Sequence, residues 1–161
     1  MKKLSFIFLA ALALGSCKKN DDNSPASTSK TDLLTAKSWR VTAEKSTSTV
    51  GSTAGTTTDD YANSPACERD NFLKFNTNKT ATFDEGATKC STSDPQTQSG
   101  AWDFNSDGTK LTITDPSGSG LAIQQDILEL SATTLRLRNT SSYTAGGITL
   151  TTTDETTFTA F

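Results

Sequence analysis

The sequence predicts an all-β fold: an eight-stranded antiparallel up-and-down barrel with a short N-terminal helix. Three observations carry that expectation. Threonine (30 residues) and serine (19) are abundant in a 161-residue chain that is only 33% hydrophobic, and β-branched threonine suits a pleated strand with one wet face. Short runs of alternating apolar and polar residues recur past residue 35, bounded by Asn-, Asp- and Gly-containing turns. Most neighbouring runs are joined by short turns, so they pair in sequential order, and closing such a meander on itself removes exposed edges.

The N-terminus reads as an address rather than as fold. Met1-Lys2-Lys3 is basic, and residues 4–14 form an apolar run of about 11 residues, too short for a bilayer span of about 20. It ends in Leu14-Gly15-Ser16-Cys17, which resembles the lipobox of bacterial lipoproteins. The resemblance implies that residues 1–16 are a signal peptide and that Cys17 is lipidated. Residues 17–30 hold Lys18, Lys19, Asp21 and Asp22 and then Ser, Thr and Pro, with no apolar side chain large enough to build a core, and so read as a tether. Charged residues so soon after the cysteine are similar to the surface-export signal of one large phylum of Gram-negative bacteria.

Residues 31–161 are the expected barrel domain. Thr31 or Asp32 is positioned to cap a helical turn carrying Leu33 and Leu34. Trp39, Val41 and Ala43 alternate with Arg40, Thr42 and Glu44 in the first strand. Residues 46–60, rich in Ser, Thr and Gly, read as a long loop, and residues 61–70 as irregular chain or one helical turn. Strands follow at 71–75, 80–83, 101–104, 110–114, 122–130, 134–138 and 148–161. Two hairpins look alike: Phe75-Asn76-Thr77-Asn78-Lys79-Thr80 and Phe104-Asn105-Ser106-Asp107-Gly108-Thr109. Asn and Gly tolerate the positive φ that tight turns demand. Alternation points inward Trp39, Val41, Leu73, Phe75, Phe83 and Trp102, then Phe104, Leu111, Ile113, Leu128 and Leu130, and finally Leu135, Leu137, Ile148, Leu150 and Phe158. Eight strands enclose room for packed side chains or one small ligand.

With Cys17 committed to lipid, Cys67 and Cys90 remain, an even pair in an oxidising compartment. A disulfide would close a loop of about 24 residues, worth about 3 kcal/mol by loop entropy. The alternatives are two free thiols, or a metal site that would stand two ligands short of tetrahedral zinc.

Several segments resemble bacterial lipocalin-like lipoproteins. Leu33-Leu34-Thr35-Ala36-Lys37-Ser38-Trp39-Arg40-Val41-Thr42 looks like that family's opening, a short helix leading into a strand with an early tryptophan. Ala66-Cys67-Glu68-Arg69-Asp70-Asn71-Phe72 and Phe75-Asn76 look like its second strand, and Phe83 to Cys90 with Gly100-Ala101-Trp102 extend the match. Ala36 or Lys37 stands where the wider superfamily usually has glycine. The resemblance implies a barrel and small-molecule binding without naming a ligand.

The remaining chemistry is sparse. The formal charge of −3 argues against nucleic acid, which calls for a concentrated basic surface. The chain has no histidine, which removes the commonest general base and metal ligand. No Gly-x-Ser-x-Gly elbow or phosphate-cradling Gly-rich loop occurs. Asp84-Glu85 read most simply as a solvated strand end, Asn105 to Gly108 as a hairpin turn rather than a calcium loop, Asp59-Asp60 as loop solvation, and Arg136 and Arg138 as outer-wall residues. The expectation is a non-enzymatic outer-membrane lipoprotein without cofactor or metal, held to the membrane by its lipid. Its candidate ligand lining is Trp39, Phe75, Phe83, Trp102 and Phe104, for a small apolar molecule. The alternative is a filled barrel that meets an envelope protein or a glycan through Thr/Ser-rich loops.

Overall fold

A computed structural model describes residues 28–114 and 120–161. Cys17, the apolar run and most of the tether lie outside the described residues. The order of elements is α1 (Lys30–Thr35), β1 (Ser38–Val50), β2 (Thr56–Asp59), α2 (Asp60–Asn63), β3 (Phe72–Phe75), β4 (Thr80–Asp84), β5 (Thr97–Phe104), β6 (Lys110–Thr114), β7 (Ala122–Leu130), β8 (Thr134–Ala145) and β9 (Ile148–Ala160). All strand pairs are antiparallel, and β1 pairs with both β3 and β9. The chain therefore closes an eight-stranded barrel from β1 and β3 to β9, with β2 added to the far half of β1.

One end is packed shut. Leu34, Trp39, Phe75, Ala81, Trp102, Leu111, Leu135 and Leu137 are all buried, with Val41, Leu73, Phe83, Phe104 and Ile113 against them. Helix α1 covers this end. Its cap is Ser29 rather than Thr31 or Asp32: Ser29 and Asp32 form a reciprocal capping box, which satisfies two otherwise orphaned backbone donors. Lys30 Nζ reaches the Gly108 carbonyl at 2.6 Å, and Lys74 Nζ the Thr35 carbonyl at 3.2 Å.

The matched hairpins close alike. Asn76 and Asn105 donate to Thr80 and Thr109 Oγ1, each at 3.1 Å. The Thr80 and Thr109 hydroxyls donate back to Asn78 and Asp107 at 2.7 and 2.8 Å. Lys79 (φ 68°) and Gly108 (φ 66°) occupy the same left-handed position.

Three expectations change. Residues 46–60 are not a long loop: β1 runs unbroken to Val50 and turns into β2, because the ladder to β9 supplies backbone partners that its small side chains do not attract. Strands β1, β8 and β9 thus overshoot the barrel as a wing. Ile148 and Leu150 share the inward parity of Phe158 but lie on this wing, 59% and 42% exposed. Leu128 sits at a bulge between Ile127 and Glu129. The extra residue sends Ile127 inward to pair with Leu137 and leaves Leu128 36% exposed.

Candidate functional site

The end opposite α1 is open. Three adjoining hollows meet at Val41. One of 320 Å³ has Trp39, Leu73, Phe83 and Phe158 as its apolar wall and Asn71, Asp84, Glu85 and Gln98 at its rim. A second, of 440 Å³, runs from the same Val41, Phe83 and Phe158 towards Ile113 and Ile123. A third, of 420 Å³, lies outward beneath α2 and the following turn and is lined by Glu44, Tyr61, Glu68, Arg69 and Cys90. These volumes fall in the range of small-molecule pockets.

The register explains the lining. Leu73 faces Phe83, Phe83 faces Gln98, Ile113 faces Ile123, and Val41 faces Phe158. Gly100, opposite Ala81, keeps the wall thin, since a Cβ there would lie 2.2 Å from the Thr114 carbonyl oxygen and 3.1 Å from the Phe83 ring.

A second bulge places the mouth's most consequential side chain. The β1–β9 register shifts between Val41 and Ala43, so that Ala43 faces Thr157 and Glu44 faces Thr156. Simple alternation puts Glu44 outside with Arg40 and Thr42. The bulge turns it inward, where it lines two of the three hollows. Burial, reinforced by the negative charges of Asp60, Asp154 and Glu68, pushes its carboxyl above the usual glutamate value. The Ser46 hydroxyl, also turned inward, lies 2.5 Å from Asp60 Oδ2 and 2.8 Å from Asp154 Oδ1.

The rim is braced covalently. Cys67 and Cys90 form a disulfide joining the turn before β3 to the loop between β4 and β5. Asp70 Oδ2 accepts from the amides of Ala87 and Thr88, each at 2.9 Å. Asp84 accepts from Gly86 N and Gln96 Nε2 at 2.9 and 2.8 Å, so it organises the loop rather than ending a strand in solvent. Asp59 caps α2 by accepting from Ala62 N; it too has a structural partner.

The five aromatic candidates divide. Phe83 and Trp39 touch the 320 Å³ hollow. Phe75, Trp102 and Phe104 pack edge-to-face at the closed end, with centroids 5.8 and 5.4 Å apart. Both indole N–H groups donate to backbone carbonyls, Trp39 to Leu34 and Trp102 to Asn76. Asp126 receives Lys110 and Arg138 on the outer wall, and Arg136 faces Glu155 at 3.5 Å. Sequence alternation missed Glu44 and Ile123 as lining.

No curated protein matches the sequence. Residues 35–137 match the model of the lipocalin-like domain family, a stretch that runs from the last residue of α1 into β8. The matched segment, the closed barrel and its open mouth agree, and the chain belongs to the lipocalin-like domain family.

Proposed function

We propose that this protein is a lipid-anchored, non-enzymatic module of the cell envelope that binds a small, mainly apolar molecule in its barrel mouth. The observation that carries the reading is the half-open hollow walled by Val41, Leu73, Phe83 and Phe158. A concave, largely apolar site with a few polar groups at its rim is the usual form of a small-molecule site, and the lipocalin-like barrel is generally a binding fold. Outer-membrane anchoring, with the domain displayed on the surface, is supported by the Leu14-Gly15-Ser16-Cys17 junction and the charged residues after it.

Titration with the neutral apolar dye Nile red tests the binding reading. Saturable one-to-one enhancement of fluorescence is expected, and Val41→Phe, which fills the point where the hollows meet, should weaken it about tenfold or more while the protein still melts cooperatively. Absence of saturable binding, or equal binding by a folded Val41→Phe variant, overturns it.

A further inference from the structure

We propose that the ligand carries a positive charge: an ammonium group on an apolar body, seated with its cation against Glu44 and its apolar part in the hollow below. This rests on the binding reading above and adds the chemical class of the ligand.

Glu44 faces the interior only because the bulge between Val41 and Ala43 reverses the alternation of β1. It lines both the apolar hollow that reaches Ile113 and Ile123 and the outer hollow beneath α2. It is partly buried, yet among the described residues its carboxylate has neither a hydrogen bond nor an ion pair, whereas Asp103, Asp126 and Glu155 each have a cation. A partly desolvated carboxylate without a partner is costly, and an incoming donor or cation relieves that cost.

The surroundings select the sign. Asp60 on α2, Asp154 on β9 and Glu68 on the turn before β3 all act on Glu44 with negative charge, and Asp84 and Glu85 add theirs at the rim. Among the described residues the one cation lining these hollows is Arg69, which is committed to the carbonyls of Ser64 and Ala62 at 3.1 and 2.9 Å and lies over the Tyr61 ring. Carboxylate-headed amphiphiles would meet this field as like charges, and ammonium-headed ones as complements. A bare metal ion is the poorer fit: among the described residues no three carboxylate or thiol groups converge to hold one. Instead, Glu44 stands next to apolar wall.

Calorimetric titration at pH 7 of decylamine, decanol and decanoate, each below its aggregation threshold, separates the two layers of the proposal. A primary amine of this kind is protonated at pH 7. Decylamine should bind about tenfold or more tighter than decanol, with decanoate weakest. Glu44→Gln, nearly isosteric, should cut the amine-over-alcohol ratio to about threefold or less, while Glu155→Gln on the outer wall keeps it. Equal binding of amine and alcohol by the wild type overturns the cation proposal but leaves the apolar site standing. A ratio unmoved by a folded Glu44→Gln variant removes Glu44 as the counter-charge. If none of the three binds, both the proposal and the binding reading fall.

Discussion

The indole N–H of Trp39 donates to the carbonyl oxygen of Leu34 at 2.8 Å, and both residues are wholly buried. A side chain at the start of β1 thereby satisfies a carbonyl in the last turn of α1, where helix carbonyls lack intrahelical partners. The bond fastens the helix over the closed end, and Leu34 enters the core beneath it. Trp39 therefore supports the floor of the apolar hollow while its polar atom is already used.

Trp102 has the same character. Its N–H is held by Asn76, its ring by Phe75 and Phe104, and Lys79 Nζ lies 4.0 Å above it. Trp102→Ala should cost about 3–5 kcal/mol, seen as a large fall in the melting temperature of the ligand-free protein. An unchanged melt would contradict its core role.

Replacing Cys67 and Cys90 with alanine should destabilise by about 3 kcal/mol on loop-entropy grounds, a drop of several degrees for a domain of this size. Thiol labelling of unreduced, denatured protein checks the bond directly. Two reactive thiols per chain, beyond any at Cys17, would refute it.

Glu44 gives stability a pH dependence of predictable sign. Its folded pKa is raised, first by burial and then by Asp60, Asp154 and Glu68, so the native state binds its proton more tightly than the unfolded chain does. This contribution is present at acid pH and is lost as pH rises from the usual glutamate value through the raised one. Denaturant melts of wild type and Glu44→Gln between about pH 4 and pH 7 should show the variant gaining on the wild type as pH rises. A constant difference would mean that Glu44 is not destabilised by its surroundings.

Gly100→Ala should destabilise by about 1–3 kcal/mol, the usual cost of overpacking, because the new methyl meets the Thr114 carbonyl and the Phe83 ring. Since Phe83 lines the hollow, Nile red affinity should fall along with the melting temperature. A variant as stable as the wild type would show that the wall yields there.

Cys17→Ser should release the protein from the membrane fraction, since the Leu14-Gly15-Ser16-Cys17 junction is read as the site of acylation and a protein without acyl chains lacks its anchor. Fractionation of cells expressing the variant checks this, and retention equal to that of the wild type would overturn the anchor.

The sequence made the hairpins legible because their instructions are local: the side chains of Asn76, Asn78, Asn105 and Asp107 bond to groups no more than six residues away. The core aromatics were legible because strict alternation holds along β3 to β6. Alternation fails at bulges, which are set by how two distant strands meet, so simple alternation puts Glu44 and Leu128 on the wrong faces. The wing was hidden for another reason. Its strands contain few apolar residues, and β1 from Lys45 onward is organised along one edge by backbone pairing with residues 150–155, a partner no local pattern announces.

That distant partnership has a kinetic consequence. The barrel closes along β1 and β9 from Trp39 with Ala160 to Val50 with Leu150, so the seam joins strands separated by nearly the whole domain. A chain emerging from its N-terminus carries β1 long before the residues that will pair with it exist. Contacts so distant in sequence slow folding; β1 can pair early with β2 and β3, but its edge towards β9 must wait, its ladder groups turned to water. Closure of the cup, and with it any binding at its mouth, is thereby postponed until the last strand has been delivered.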